Sequence, residues 1–334
     1  MNAAVLHGPR DLRVEPSPTA ALGADDVRVR VRLAGLCGTD VRIWSGDRPV
    51  RYPLVLGHEF LGTVDAVGSA VTRVHPGQRV VVEPNYSCGV CPLCAEGNRN
   101  LCLSRTAVGI DVDGGFAETA RVPSRCCWPA PASVADEDLL LTEPLGVVAR
   151  AVGRGFAPRT ETAAVLGVGT LGLLAIQVLR ARGARVLAVG RSDRRADLAR
   201  RLGAEAIHAV ADGGLDVAAR RFAGREGVDL VVETAGTAEA VEHALALVRP
   251  GGRVVLTGLP HAPSTVSFFS VVRREVTITG SMIYQDEFGE ALALLAGGAV
   301  HGAPLVTHRF PLAAIADAFA AHRDRASIKV ALVP

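Results

Sequence analysis

The chain has 334 residues, of which 49% are hydrophobic and 21% are charged. This length predicts about two domains of ~150 residues each, and the composition excludes a disordered or low-complexity chain. The 36 Lys and Arg residues and the 34 Asp and Glu residues give a formal net charge of +2, so the charge gives no reason to expect nucleic acid or an anionic membrane as a partner.

No segment of the sequence has the pattern of a membrane span or a secretory signal. The most apolar stretch, residues 163–179, contains glycines and is shorter than the ~20 residues that a bilayer requires. The N-terminus lacks a basic start followed by an apolar run, so a cytoplasmic location is expected. Four of the seven cysteines lie between positions 88 and 102, which favours a metal site over a disulfide framework.

Two sequence patterns divide the chain. In the first ~145 residues, short strand-like segments are separated by Gly and Pro, and VRVRVRL at 27–33 has the period of a half-exposed strand. After about residue 160, apolar strands alternate with Ala-, Leu- and Arg-rich helices, which predicts a doubly wound parallel sheet. The last ~45 residues return to a mixed pattern. We therefore predict a two-domain α/β chain in which both ends build a β-rich domain and a nucleotide-binding domain lies between them.

A G-x-G-x-x-G motif stands at a predicted strand-to-helix junction. The predicted cofactor-binding loop consists of Gly167, Val168, Gly169, Thr170, Leu171 and Gly172. The first glycine allows a tight turn, the second lets a pyrophosphate approach the backbone, and the third lets helix and strand pack closely. We expect the phosphates of a dinucleotide to lie at the N-terminus of the following helix.

The end of the next predicted strand carries information about the cofactor. An NAD site has Asp or Glu here to accept hydrogen bonds from the ribose hydroxyls, whereas this chain has Gly190, Arg191 and Ser192. A carboxylate would repel the 2′-phosphate of NADP, and Arg191 together with Arg195 would bind it. The sequence therefore favours NADP. The alternative is that Asp193 serves NAD and the arginines form a solvated helix start.

The cysteine cluster has metal-ligand spacing. The pattern C-x2-C-x2-C-x7-C comprises Cys88, Cys91, Cys94 and Cys102. Four thiolates in a compact loop suit tetrahedral Zn²⁺ with no position left for a substrate, so we predict a structural zinc lobe over residues 84–104. The same ligands are compatible with an iron–sulfur cluster, although nothing else in the sequence indicates electron transfer.

A second set of candidate metal ligands is dispersed and consists of Cys37, His58, Glu59 and Glu143. One sulfur, one nitrogen and one or two oxygen ligands would make an open zinc site with room for water or an alcohol. Zinc makes a hydroxyl group easier to deprotonate, which favours loss of hydride. Thr39 lies close enough to Cys37 to relay that proton, and Asp40 is suited to hold the His58 ring. A lone Cys or His is more often a packing residue, so spacing alone leaves both interpretations open.

Together these motifs resemble the zinc-containing medium-chain dehydrogenase/reductase family, in its polyol and threonine dehydrogenase branch. The further matching motifs are CGTD at 37–40, GHEFLG at 57–62, GQRVVVEP at 77–84, DGGFAE at 113–118, TEPLGV at 142–147, VVETAG at 231–236 and PLVTHRFPL at 304–312. The resemblance covers essentially the whole chain. It implies a GroES-like catalytic domain over residues 1–148 and 286–334 and a Rossmann domain over residues 149–285.

The resemblance also implies roles for individual residues. Glu59 or Glu143 is the third protein ligand of the catalytic zinc, and the other reaches the zinc through water or by exchange. Lys329 matches a position where a cation faces either the cofactor phosphates or the Glu after the zinc-binding His. The nicotinamide is expected next to the segment Thr234, Ala235 and Gly236.

The function implied is hydride transfer between NADP(H) and a secondary alcohol, namely a polyol, a cyclitol or an amino-alcohol, with NAD as the alternative cofactor. Other interpretations are a threonine-type dehydrogenase, an NADPH-dependent ketone reductase and a non-catalytic NADPH-binding protein. The complete set of candidate zinc ligands argues against the last. The family commonly pairs subunits through the strand at 276–280, so a homodimer or homotetramer is expected, with a small molecule as the substrate.

Overall fold

The computed structural model describes residues 1–191, 195–259 and 262–334. The chain forms two compact units. The first comprises Met1–Glu143, Ala291–Ala296 and His301–Pro334, and the second comprises Pro144–Glu290 and Gly297–Val300. The domain limits drawn from the sequence stay a prediction.

The N-terminal part of the first unit is rich in short strands. Its strands are β1 (Asn2–Gly8), β2 (Asp11–Pro16), β3 (Asp26–Leu36), β4 (Leu54–Val55), β5 (Glu59–Val67), β6 (Arg79–Val82), β7 (Asn85–Tyr86), β8 (Thr106–Ala107), β9 (Thr119–Pro123) and β10 (Cys127–Pro129). Its helices are α1 (Gly38–Ser45), α2 (Pro92–Ala95) and α3 (Asp136–Leu139). The predicted half-exposed strand is confirmed in β3, where Val27, Val29 and Val31 are buried and the arginines between them face outward.

The second unit has alternating strands and helices. Helix α4 (Thr142–Gly155) begins in the first unit and continues into the second. The strands are β11 (Thr162–Leu166), β12 (Arg185–Gly190), β13 (Ala206–Ala209), β14 (Val228–Glu233), β15 (Val248–Leu256) and β16 (Thr277–Gly280). The helices between them are α5 (Thr170–Ala181), α6 (Ala196–Arg201), α7 (Leu215–Ala223), α8 (Ala240–Leu247) and α9 (Phe268–Arg273).

The six strands of the second unit form one parallel sheet in the order β13-β12-β11-β14-β15-β16. The order reverses between β11 and β14, which is the point where doubly wound folds bind nucleotides beyond the carboxyl ends of the strands. The apolar runs of β11, β12 and β14 are buried because helices cover a parallel sheet on both faces. The predicted doubly wound sheet is confirmed.

The C-terminal segment returns the chain to the first unit. It contains α10 (Glu287–Ala296), β17 (Val306–Pro311), α11 (Ile315–His322) and β18 (Lys329–Val333). Strand β18 inserts between β17 and β3, so the main sheet runs β10-β6-β5-β3-β18-β17, with β9 paired to β3. This insertion brings residue 329 close to β5. Among the helices in the described ranges, none combines the length and apolar character needed to cross a bilayer.

Candidate active site

The motif CGTD begins helix α1 and fixes the position of an aspartate. Asp40 is fully buried, and its Oδ2 accepts a hydrogen bond of 2.9 Å from the backbone N–H of Cys37. This return contact is how an acidic side chain in the first helical turn caps the residue that begins a helix. The cap orients Cys37 and turns the second oxygen of Asp40 inward. Thr39 is half-buried in the same turn.

The second oxygen of Asp40 faces a histidine. Oδ1 of Asp40 lies 3.3 Å from Nδ1 of His58, and both side chains are buried. Neither atom has a well-directed hydrogen bond elsewhere in the described part of the chain. Burial by itself lowers the pKa of His58, but the charges of Asp40 and Cys37 outweigh burial and raise that pKa well above its usual value. The ring is therefore held in a buried, electronegative environment.

Glu59 follows directly and begins β5, opposite Gly35 of β3. A Cβ atom at position 35 would lie only 2.6 Å from Oε2 of Glu59, so the missing side chain of Gly35 makes room for the carboxylate. Oε2 accepts a hydrogen bond of 2.6 Å from Nζ of Lys329, which also donates to the carbonyl of Leu36 at 3.4 Å. Of the two contacts that the resemblance allows for Lys329, the structure has the one with the glutamate.

Two opposing effects act on the pKa of Lys329. Desolvation lowers its pKa, but the surrounding charges of Glu59, Cys37 and Glu143 outweigh desolvation, so the pKa is raised and the side chain is an ammonium ion. Glu143 is itself buried, in the first turn of α4. The structure therefore places both candidate carboxylates near one buried cation.

The donor set fits a metal ion. One donor atom from each of Cys37, His58 and Glu59 lies within 4.8 Å of the other two, and Glu143 does not join this set among the described residues. A thiol, an imidazole and a carboxylate are the ligands of open zinc sites. Nδ1 of His58 is buried beside Asp40 and has no other partner in the described residues. A carboxylate in this position commonly orients a zinc-binding histidine. The individual ligand roles stay predictions.

The cysteine lobe also fits a single tetrahedral ion. The four Sγ atoms of Cys88, Cys91, Cys94 and Cys102 lie within 4.8 Å of one another. Sγ of Cys102 is 3.5 Å from that of Cys88 and 3.9 Å from that of Cys91. Four sulfurs at the usual Zn–S distance would be separated by about 3.8 Å along each tetrahedral edge. Cysteines that bind different irons of a cluster would stand farther apart.

Backbone N–H groups prepare these sulfurs to be thiolates. The N–H groups of Cys88 and Ser104 point at Sγ of Cys102, at 3.3 and 3.4 Å. Hydrogen bonds from the backbone of Leu103 and Cys94 lower the pKa of Cys91 to about 6. The thiolate is the form that binds zinc, so these hydrogen bonds favour the binding state at Cys91, whereas desolvation raises the pKa of Cys94 to about 11.

The glycine loop has the geometry that its motif predicts. Gly167 has φ +102°, and a Cβ atom there would collide with Thr234. A Cβ atom on Gly172 would lie 1.8 Å from the carbonyl oxygen of Gly167, so the third glycine permits the close packing of α5 against the turn. Gly169 caps α5, and among the described residues a Cβ atom built on it would have only Arg195 within 4 Å, at 3.9 Å. This open backbone beside a helix N-terminus fits a pyrophosphate.

Two arginines lie near the loop at the end of β12. Gly190 is buried and Arg191 is exposed, while Arg195 donates a hydrogen bond of 2.8 Å to the carbonyl of Val168 within the loop. Burial and the charge of Arg191 lower the pKa of Arg195, so the two guanidinium groups repel each other. Ser192 and the alternative Asp193 lie outside the described residues.

The last residue of β14 is a functional candidate that was not predicted from the sequence. Glu233 is buried, and its Oε1 accepts hydrogen bonds of 2.6 and 2.7 Å from the N–H groups of Ala235 and Gly236. Thr234 donates to the carbonyls of Leu166 and Gly167, both at 3.1 Å. The predicted nicotinamide segment is thus fixed to the glycine loop. A charged residue closing the apolar run of β14 was the signal available in the sequence.

Comparisons with known proteins agree with this geometry. The family model "Alcohol dehydrogenase GroES-like domain" matches residues 23–132, and "Zinc-binding dehydrogenase" matches residues 170–297. An L-threonine 3-dehydrogenase of Bacillus velezensis is 34% identical over 327 residues, covering 95% of this chain and 94% of that protein. A sorbitol dehydrogenase of Bacillus subtilis is 32% identical over 327 residues, covering 95% and 92%.

Solved structures share the whole fold. A zinc-binding dehydrogenase from Sinorhizobium meliloti bound to NADP superposes with a TM-score of 0.96 at 33% identity, covering 100% of this chain and 99% of that one. An alcohol dehydrogenase (RspB) from Escherichia coli in complex with NADH gives a TM-score of 0.94 at 32% identity, with the same coverage. The predicted GroES-like and Rossmann fold is confirmed.

Proposed function

Because the chain belongs to the zinc-containing medium-chain dehydrogenases of the alcohol dehydrogenase superfamily, we propose that it transfers hydride between NADP(H) and a secondary hydroxyl of a polyol, cyclitol or amino-alcohol. The family consists of zinc-dependent oxidoreductases that use nicotinamide dinucleotides, which confirms the expected enzyme class and cofactors. The observation that carries the proposal is the convergence of Cys37, His58 and Glu59 within 4.8 Å, beside a buried aspartate.

The chain's own residues divide the work at this site. Cys37, His58 and Glu59 would hold zinc, which when bound acts as a Lewis acid and makes a hydroxyl group easier to deprotonate. Asp40 orients the imidazole through its contact of 3.3 Å and stabilises positive charge on the ring. Oγ1 of Thr39, in the first turn of α1, would accept the proton of the substrate hydroxyl and pass it to solvent.

The carboxylates have separable roles in this proposal. Glu59 would be the direct oxygen ligand, because it belongs to the donor set. Lys329 donates to Oε2 of Glu59, so the other oxygen would be available to the metal. Glu143, buried near Lys329, is the candidate for exchange with Glu59 during turnover.

The cofactor preference follows from the glycine loop and the arginines beside it. NADP would supply the carbon that accepts hydride, and the open backbone at Gly169 would receive its pyrophosphate at the N-terminus of α5. Arg191 and Arg195 repel each other, and a 2′-phosphate between them would relieve that repulsion. Gly190 offers no carboxylate to oppose the phosphate. These features support NADP over NAD.

We also infer self-association through the second unit. Strand β16 ends the parallel sheet, and only β15 pairs with it within the described ranges. Just before it in the chain, α9 exposes 73% of Phe268, 72% of Phe269 and 76% of Val272. Exposed apolar clusters of this kind mark interaction sites. Sedimentation velocity should show a dimer or tetramer that dissociates in the Phe268→Asp variant, and a monomeric wild type would contradict the inference.

The function is tested by initial rates of NAD⁺ and NADP⁺ reduction with polyols, cyclitols, amino-polyols and threonine. A chelator-treated enzyme, assayed before and after zinc is restored, is the control. Turnover with NADP⁺ that is lost with zinc and regained with it supports the proposal. A preference for NAD⁺ would overturn only the roles given to Arg191 and Arg195 and would leave the proposed zinc chemistry intact. Inactivity with every alcohol, and with the matching ketones and NADPH, would overturn the function.

A further inference from the structure

Three half-buried arginines lie around the end of helix α1, whose first turn contains Asp40. Arg42 lies in the last turn of α1, and the backbone N–H of Arg48, in the following loop, donates a hydrogen bond of 3.1 Å to the carbonyl of Arg42. Arg105 comes from the loop after the cysteine lobe, where its guanidinium donates to the side chain of Asn85. All three residues are half-buried.

Two of these guanidinium groups are unpaired in the described part of the chain. In the part of the chain that the structure describes, neither Arg42 nor Arg48 has a side-chain hydrogen bond or an ion pair. Elsewhere in the same unit, arginines that leave the bulk solvent are paired. Half-buried Arg28 contacts Asp65 at 2.6 Å, and half-buried Arg79 contacts Asp136 at 3.1 Å.

The local electrostatics are repulsive. Burial, and then the positive charges of Arg105 and Arg42, lower the pKa of Arg48, and the carboxylates of Asp111 and Asp40 offset this only in part. An arginine stays charged at any physiological pH, so partial burial leaves the Arg48 cation less well solvated, and its two arginine neighbours add a surplus of positive charge. A bound anion would neutralise that surplus and accept hydrogen bonds from the free donors.

The position of the cluster ties it to the reaction. Helix α1 begins at Cys37 and carries Asp40, which contacts His58, and the same helix ends beside Arg42 and Arg48. Asp40 is near enough to Arg48 to influence its charge. An anion bound by these arginines would therefore lie within one short helix of the candidate zinc ligands. Cys37 and Arg42 are five positions apart, about 7.5 Å along the helix axis, which a six-carbon substrate can span.

We propose that Arg42, Arg48 and Arg105 bind an anionic group of the substrate, a carboxylate or a phosphate, so that the enzyme acts on acidic polyols in preference to neutral ones. This inference rests on the proposed function, since it assigns the substrate class of the same site. Guanidinium groups suit the task because their planar donors match carboxylate and phosphate oxygens in pairs. The secondary hydroxyl that loses hydride would lie at the metal, and the anionic end would lie at the arginines.

The first test compares substrates of matched length. Initial rates are measured with sorbitol, gluconate and sorbitol 6-phosphate, and with the corresponding galactitol series, at constant ionic strength. We expect kcat/KM to be at least about tenfold higher for the carboxylate or the phosphate than for the neutral polyol. The member of each series that gains most identifies the anionic group. Equal or higher kcat/KM for the neutral polyols would overturn the inference and leave the proposed function intact.

The second test uses variants and does not depend on turnover. Calorimetry measures gluconate and inorganic phosphate binding to the zinc-loaded enzyme. We expect Arg48→Met to weaken binding about 10- to 100-fold and Arg48→Lys to weaken it less, since lysine retains the charge and loses the paired donors. Arg13→Met is the matched control. It removes the same charge, but Arg13 is exposed and pairs with Asp11.

The outcomes separate the two proposals. If none of these compounds or their ketones is turned over, the proposed function fails, and calorimetry still decides whether the arginines bind anions. Unchanged binding in Arg48→Met, or an equal loss in Arg13→Met, would overturn the anion site. A selective loss in Arg48→Met, accompanied by a fall in the ratio of kcat/KM between gluconate and sorbitol, supports it.

Discussion

Nζ of Lys329 lies 2.6 Å from Oε2 of Glu59, although the two residues are 270 positions apart, and both are almost fully buried. The sheet brings them together, because β18 pairs with β3 at Leu36 and β3 pairs with β5 at Gly35. The glycine leaves space for the carboxylate between the strands. Each charge is tolerated inside the protein because the other is present.

The first prediction concerns the stability of this pair. Lys329→Met should lower the free energy of unfolding by about 3–5 kcal/mol, because the Glu59 carboxylate would be left buried without a counter-ion. The measurement is urea unfolding after zinc has been removed from every variant with a chelator, because bound zinc would itself be a counter-ion for Glu59. The double variant Lys329→Met/Glu59→Gln should be more stable than the single variant, since it removes the unpaired charge.

An exposed ion pair supplies the control for this measurement. Arg13 and Asp11 lie at the surface, so Arg13→Met should cost at most about 1 kcal/mol. If Lys329→Met costs no more than Arg13→Met, the buried counter-ion interpretation is wrong.

Lys329 is also the only lysine in the sequence. Acetylation should therefore leave Lys329 unmodified in the native protein and modify it after unfolding.

The second prediction separates the two metal centres. Cys91→Ser should lose about one of two zinc ions per chain and lower Tm by about 10 °C, as expected for a loss of a few kcal/mol in a chain of this size. His58→Ala should also lose one zinc ion, but it should abolish turnover with a smaller change in Tm. Metal analysis, calorimetry and rates on both variants make each the control for the other. Full activity in His58→Ala, or unchanged Tm in Cys91→Ser, would contradict the assignment.

Features that depend on residues close together in the sequence could be predicted from it. The spacing of the four cysteines and of the three loop glycines is local, so the geometry of each motif follows from the chain itself. The alternation in β3 predicted its buried face for the same reason.

Contacts between distant segments could not be read in this way. The partner of Lys329 depends on the insertion of β18 beside β3. No local sequence pattern specifies the register of that pairing. The meeting of Arg48 with Arg105 depends likewise on how two loops pack. The sequence does not show which arginines lack a partner, because a solvated surface arginine and a substrate-binding arginine are the same residue type.

The third prediction tests the support of the histidine. Asp40→Asn keeps the shape of the side chain but removes the charge 3.3 Å from Nδ1 of His58. We expect the zinc affinity of the catalytic site to fall about 10- to 100-fold, the usual effect of losing such a partner. Competition with a chromogenic chelator measures the affinity. Asp11→Asn, at the exposed hairpin, is the control, and equal affinities in the two variants would remove Asp40 from this role.

The fourth prediction concerns cofactor choice. Arg191→Ala and Arg195→Ala should each lower kcat/KM for NADP⁺ about tenfold or more, because each removes a charge-assisted contact to the 2′-phosphate. The value for NAD⁺, which lacks this phosphate, should change little. Arg201→Ala, an exposed arginine at the end of α6, is the matched control. A parallel fall with both cofactors would indicate a structural effect and contradict the proposed preference.

The fifth prediction gives the pH dependence of stability in the second unit. Asp229 accepts hydrogen bonds from the N–H groups of Glu161 and Thr162, at 3.0 and 2.9 Å, and from Nε of Arg249 at 2.7 Å. Burial raises the pKa of Asp229, but these hydrogen bonds outweigh burial and hold the pKa below its usual value. The folded state therefore binds fewer protons than the unfolded state between the two pKa values.

The sign of the effect follows from this difference. The contribution of Asp229 is fully present above the unfolded pKa of about 4 and is lost as the pH falls through the folded value. The difference in unfolding free energy between wild type and Asp229→Asn, measured in urea from pH 6 to pH 3.5, should therefore shrink as the pH falls below about 4. Taking the difference cancels the loss of zinc that both proteins undergo in acid. Asp212→Asn, at an exposed position, should show no such trend, and a constant difference for Asp229→Asn would contradict the lowered pKa.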